Sequence, residues 1–159
     1  MATIVRYDQR YSGAKLVQLN ALDCENDRVR TQRIRIDCGE KPLSATTTTG
    51  YVVPVAPYIQ VIASNAVIIT AEGATATGDF GILGDDITND PNGLDDAVNF
   101  NATAGTVTSS AIGTDAGLNV NFGASGGYIT IVTDNDLDAL VIDLVLVYTK
   151  SYPTDLLNQ

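Results

Sequence analysis

The chain contains no histidine and no tryptophan, and only two of its 159 residues are cysteines. Without histidine, the Ser-His-Asp and Cys-His mechanisms and imidazole metal sites are unavailable. Cys24 and Cys38 are too few for a disulfide scaffold or a Cys-only zinc site. We expect them to be buried thiols, with one disulfide between them as the alternative. These absences predict a protein that is not an enzyme.

Cations are also scarce, and their distribution is uneven. The formal net charge is −10, and eight of the nine Lys and Arg residues lie at or before Lys41. The rest of the chain is strongly acidic and would repel a phosphate backbone, so we expect no nucleic-acid binding. The acids either keep the protein soluble or offer complementary charge to the basic segment of another copy or of a partner protein.

Long apolar runs are missing as well. The most apolar stretch, residues 50–71, is interrupted by Pro54, Pro57 and Asn65, and the first residues carry charges where a secretory signal would be apolar. The sequence therefore predicts that the protein is made in a cytoplasm and does not associate with a membrane.

The chain instead holds many short segments rich in Val, Ile and Thr, separated by Gly, Asn and Asp. Such a rhythm, with turn residues every 8–12 positions, is typical of an all-β protein, namely a β-sandwich of jelly-roll-like form. A parallel β-helix is the competing fold, but no fixed repeat supports it. The predicted strands cover residues 28–36, 58–63, 66–71, 79–83, 97–102, 106–109, 118–122, 127–133 and 139–149, and a turn at Ser64-Asn65 joins the second and third into a hairpin.

A change of composition divides the chain into two parts. The low-complexity stretch SATTTTG at residues 44–50 suits a linker. We therefore predict an extended basic N-terminal arm and linker over residues 1–49 and an acidic β-sandwich body over residues 50–159. The arm is expected to bind a partner protein through its arginines and tyrosines: Arg6, Tyr7, Arg10, Tyr11, Arg28, Arg30, Arg33 and Arg35.

An acidic loop is predicted over residues 84–96 and is the best candidate for a ligand site. Its oxygen-bearing side chains are of the type that Ca²⁺ prefers, although their spacing does not fit an EF-hand. The alternatives are a solvated turn without any cofactor and a Ca²⁺ site. The candidate ligands are Asp85, Asp86, Asp90, Asn92, Asp95 and Asp96.

Three segments resemble the capsid decoration, or cement, proteins and other auxiliary virion proteins of tailed bacteriophages. They are FGILG at residues 80–84, the acidic turn DPNGL at residues 90–94, and the long apolar strand at residues 140–148. The likeness covers about residues 51–150. It implies a non-catalytic virion component, assembled in the host cytoplasm, that binds the outer shell through its arm and stabilises it.

The same resemblance implies partners: other copies of the chain, as a homotrimer, and the major capsid protein or another virion protein. Two alternatives remain open on the residues alone. One is a phage tail or fibre domain that binds a host surface or glycan, and the other is a jelly-roll carbohydrate-active enzyme. The lack of Trp and His argues against the enzyme.

Overall fold

The computed structural model describes residues 5–6, 29–44, 50–109 and 117–150. Within these ranges every regular element is a β-strand, and none of them contains a helix long and apolar enough to cross a membrane. The strands are β1 (Val5–Arg6), β2 (Arg30–Asp37), β3 (Gly50–Val55), β4 (Ile59–Thr70), β5 (Thr77–Leu83), β6 (Asp90–Asn99), β7 (Val107–Ser109), β8 (Gly127–Thr133) and β9 (Val141–Lys150).

The strands form two sheets, with the orders β1-β3-β8-β5-β6 and β2-β9-β4-β7. Apart from the parallel contact of β1 with β3, all the strand pairs of the described chain are antiparallel. From β2 to β5 successive strands alternate between the sheets, β5 and β6 are neighbours, and β6 to β9 alternate again. The predicted all-β sandwich is confirmed.

Alternating side chains explain how the two sheets enclose one core. On β2, Ile34 and Ile36 are buried while Arg33 and Arg35, which alternate with them, are exposed, because successive residues of a strand point to opposite faces. The core draws on both sheets, and its largest members include Phe80 and Phe100, whose rings meet edge to face with centroids 6.2 Å apart. Burying each such Ile or Phe contributes about 1.5–3 kcal/mol.

The predicted hairpin over residues 58–71 is wrong, because these residues form the single strand β4. Ser64, at the expected turn, is 1% exposed, and its hydroxyl donates a hydrogen bond to the carbonyl of Leu94. Because this hydroxyl is hydrogen-bonded, the polar side chain of Ser64 can occupy an inward-facing position of the strand. A register shift between Val61 and Ala63 lets β4 follow β9 past this region.

The predicted acidic loop is shorter than expected, because residues 90–99 form β6. Its proline and glycine do not end the strand but make it irregular, with register shifts against β5 on both sides of Phe80. Gly81 is in close contact with the backbone of this irregular stretch, because a Cβ at position 81 would stand 2.3 Å from backbone atoms of Asp90 and Pro91. The segment predicted as a strand over residues 118–122 forms turns and one isolated bridge, between Gln60 and Asn121.

Residues 30–44, predicted to be part of the arm, lie in the sandwich instead. β2 pairs with β9 over its whole length without a break in register. Further along, Leu43 exchanges two backbone hydrogen bonds with Leu137 and is completely buried. The alternation of Arg with Ile predicted a half-exposed strand here, and it is the pattern of a strand with one face in the core. Of the arm and linker predicted over residues 1–49, residues 45–49 and, apart from the backbone of β1, residues 1–28 lie outside the described residues.

Candidate assembly interface

The arginines predicted to bind a partner fall into three groups. Arg33 and Arg35 project from the outer face of the four-stranded sheet, whereas the alternation of β2 places Arg30 on the opposite, inner side, opposite Tyr148. Arg6 is the partner of Tyr51 in the β1–β3 backbone pairing. The remaining predicted contacts lie outside the described residues: Tyr7, Arg10, Tyr11 and Arg28.

Arg35 holds a buried carboxylate on this outer face. Its Nε and Nη2 donate hydrogen bonds of 2.7 and 2.9 Å to the two carboxylate oxygens of Asp143, which is 1% exposed. Arg33 is 3.7 Å from the same carboxylate and its side chain is 68% exposed. The hydrogen bonds from Arg35, opposed by burial and helped by the charges of both arginines, lower the pKa of Asp143. Two guanidinium groups thus share one carboxylate.

Apolar side chains continue this face across the sheet. Three valines point outward, because their neighbours in the chain face the core: Val145 and Val147 of β9 and Val67 of β4. All three are half-buried. Val107 of β7, paired with Val67, is 56% exposed. In the described part of the chain the exposed large hydrophobic residues all belong to this sheet or precede its first strand: Val29, Ile69 and Val107. We call the outward side of β2, β9, β4 and β7 the valine face.

The outer side of the other sheet is acidic. Asp79 of β5 and Asp96 of β6 lie next to each other there, since Phe80 and Asp95 face inward. Burial, the neighbouring Asp96 and the charge of Asp134 raise the pKa of Asp79, and the hydrogen bond of 2.8 Å from the backbone N–H of Ala97 offsets them only in part. The outer side of the five-stranded sheet is therefore acidic, whereas the outward side of β2 and β9 carries Arg33 and Arg35 beside Asp37 and Asp143.

The candidate calcium ligands do not come together. Asp86 accepts a hydrogen bond of 2.7 Å from the backbone N–H of Ser125, which lowers its pKa. Asp95 is buried and accepts one of 2.7 Å from the hydroxyl of Thr108, whereas Asp96 points away from it. Residues 29–44, 50–109 and 117–150 hold no group of three His, Cys, Asp or Glu side chains suited to a metal ion. Calcium binding stays a prediction for the whole candidate set: Asp85, Asp86, Asp90, Asn92, Asp95 and Asp96.

One structurally important acid, Glu72, was not singled out by the sequence. Its Oε2 accepts three backbone hydrogen bonds of 3.1 Å, from Asp138, Ala139 and Leu140, and Oε1 accepts one of 2.9 Å from Gly73. Burial raises the pKa of Glu72, but these bonds outweigh burial and lower it overall. The sequence around Glu72 carries no pattern that identifies this site, because three of its four donors are more than sixty residues away.

No family model matches the chain, and no curated protein matches it. Its fold is similar to that of a chain in the capsid of Ralstonia phage GP4, with a TM-score of 0.64 and 17% sequence identity. The similarity covers 95% of this chain and 100% of that one. A chain in the acid-stable capsid of Helicobacter pylori bacteriophage KHP30 gives a TM-score of 0.47 at 13% identity, over 78% of this chain and 92% of the other. The predicted likeness to capsid-associated phage proteins is thus confirmed at the level of the fold.

Proposed function

We propose that this protein is a non-catalytic structural component of a phage virion, a decoration or cement protein of the capsid. The observation that carries the proposal is the fold shared with a capsid chain of Ralstonia phage GP4 over the entire length of that chain. A chain with this fold therefore occurs in a phage capsid. Fold alone does not fix function, so the site must support the proposal as well.

The described surfaces suit assembly. The valine face provides an apolar contact area, and the acidic outer side of the five-stranded sheet provides a charged one. The buried acids Glu72, Asp95 and Asp143 instead hold strands or loops together through hydrogen bonds. The proposed partners are other virion proteins, including the major capsid protein, and further copies of the chain in a homotrimer. The chain is proposed to bind the outer shell through the residues of the N-terminal arm that precede β2.

The test is reconstitution on particles. Capsids from the phage that encodes this chain, produced with its gene deleted, are mixed with the purified full-length protein and separated from unbound protein on a density gradient. We expect saturable binding and capsids that withstand higher temperature, because a bound protein stabilises the assembled state. Protein that stays at the top of the gradient at every concentration contradicts the proposal.

Charge reversal tests the part assigned to the arm. Arg10→Glu and Arg28→Glu should each weaken capsid binding, whereas Lys41→Glu, which makes the same change of charge within the sandwich, should leave it near the level of the native chain. Salt dependence of binding should also fall in the two arm variants, because each has lost one ionic contact. Equal binding by all three variants rules out the arm as the attachment segment.

A further inference from the structure

We infer that the valine face is the interface through which one copy of this chain binds a second copy. The inference rests on the proposed function, in which copies assemble on the shell, and it names the surface that joins them. Its starting point is the exclusive placement of the exposed large hydrophobic residues of the described chain on this sheet or just before it. Contiguous apolar residues with a polar rim mark interaction sites more often than scattered ones do.

The valine face alone is smaller than a stable protein–protein interface. Strands about 4.8 Å apart and about 20 Å of strand length give β9, β4 and β7 an outer area of at most roughly 300 Å², which includes the polar Asn65 and Asp143. A stable interface buries about 800 Å² on each partner, with an apolar centre and a polar rim. The valine face can therefore form the centre of such an interface, and its rim must include the adjoining arginines of β2.

Charge specifies the second copy as the occupant. Both guanidinium groups at the rim share Asp143, and Arg33, which is 3.7 Å from it and has 68% of its side chain exposed, can also bind a carboxylate of another molecule. A second copy offers such carboxylates on its opposite outer side, around Asp96 and Asp134. Contact between two different faces is heterologous, and such contacts close into rings when the rotation between copies allows it. A ring of three is the form expected for the proposed trimer.

The experiment measures the molar mass of the full-length protein by light scattering over a range of concentrations. The native chain should give a multiple of 16.7 kDa, the mass of one chain. Val107→Asp and Arg33→Glu should each shift the mass toward 16.7 kDa while their circular dichroism spectra stay unchanged. Ala104→Asp, which adds the same charge as Val107→Asp at an exposed position outside the strands of the face, serves as the matched control and should keep the mass of the native protein.

The measured molar masses can contradict the inferred interface and the proposed function separately. A native protein of 16.7 kDa at all concentrations overturns the inference, as do folded Val107→Asp and Arg33→Glu variants that keep the mass of the native protein. The proposed function fails separately: a chain that forms the oligomer through this face but never binds capsids contradicts only the assignment to the virion. A monomer that binds capsids refutes only the interface.

Discussion

Arg35 and Asp143 are directly paired residues of β2 and β9, joined by two hydrogen bonds of 2.7 and 2.9 Å on the outer side of the four-stranded sheet. This pair ties β2 to the last strand, β9, across more than a hundred residues of chain. It also covers the carboxylate so well that Asp143 is almost inaccessible at a position where the sheet faces outward. The charge pair is therefore both a structural clamp and the rim of the valine face.

Removing both members of this pair should cost less stability than the sum of removing each one alone. Arg35→Met leaves a buried carboxylate with only the more distant Arg33, and we expect the free energy of unfolding to fall by about 2 kcal/mol, moderated by the partial exposure of the guanidinium. Asp143→Leu should be similarly destabilising, while the double variant should lose less than the sum of the two. Urea unfolding of the four proteins gives the coupling energy. Additive losses would contradict the clamp.

Acid should weaken the fold through Glu72. Because the folded pKa of Glu72 lies below its ordinary value of 4.5, its stabilising effect is complete above that pH and is lost as the pH falls through the folded pKa. Glu72→Gln should lower the free energy of unfolding by about 2 kcal/mol at pH 7, because the amide replaces an acceptor oxygen with a donor.

The difference between Glu72→Gln and the native chain should narrow as the pH falls from about 4.5 through the lowered folded pKa of Glu72, because the unfolded chain takes up the proton first. Thermal unfolding from pH 7 to pH 3 measures it. A difference that is constant over this range would show that the carboxylate charge does not contribute.

Asp79 should have the opposite effect. Its folded pKa is raised, so the contribution of this group to stability is present at low pH and declines as the pH rises through that pKa. Asp79→Asn keeps an oxygen to accept from Ala97 and removes repulsion from Asp96. It should therefore raise the free energy of unfolding at pH 7 by about 0.5–1 kcal/mol.

Asp85→Asn is the matched control for Asp79→Asn. It makes the same change of net charge at an exposed position, and its melting temperature should equal that of the native chain within error. If both variants are stabilised equally, the effect belongs to the net charge and not to the Asp79–Asp96 contact.

Gly81 should not tolerate a side chain. A Cβ at this position would stand 2.3 Å from the backbone of β6, which cannot move aside without breaking its pairing with β5. We expect Gly81→Ala to destabilise the protein by about 3 kcal/mol or more. Gly73→Ala is the control, since a Cβ there meets nothing within 4 Å, and its melting temperature should stay within a few degrees of that of the native chain.

Much of the fold was predictable because burial on one face of a strand leaves a period of two in the sequence. β8 begins and ends where the sequence predicted, and β9 lies within two residues of its prediction. β4 and β6 were misjudged because Ser64, Pro91 and Gly93 are ordinary turn residues. Only contacts from distant strands make their strand positions favourable, such as the carbonyl of Leu94 for the Ser64 hydroxyl.

The candidate interface was predicted in part. The basic row on β2 was visible as alternation, but its carboxylate partner Asp143 lies on the last strand, and sequence spacing does not reveal that pairing. The valine face was hidden, because inward and outward valines look alike in a strand that is apolar throughout. Its outward members, Val145 and Val147, are identified only by the register with β4.

The boundary between arm and body leads to a further prediction. A chain that starts at Val29 retains β2 and should fold, whereas one that starts at Gly50 loses Ile34, Ile36 and Leu43 from the core. Their loss removes about 5–9 kcal/mol of burial, which is comparable with the entire stability of a typical domain. Circular dichroism and thermal unfolding of the two truncated chains distinguish them. A cooperative transition in the shorter chain would restore the boundary near residue 49.

The most direct measurement for the central claim is the copy number of this protein in purified virions of the phage that encodes it. Quantitative mass spectrometry against the major capsid protein provides that number. A decoration protein should be present in many copies, in a fixed ratio to the shell subunit, and should be lost when its gene is deleted while the shell still forms. Its absence from purified virions, or a number as low as that of a tail or fibre component, would contradict the assignment to the capsid surface.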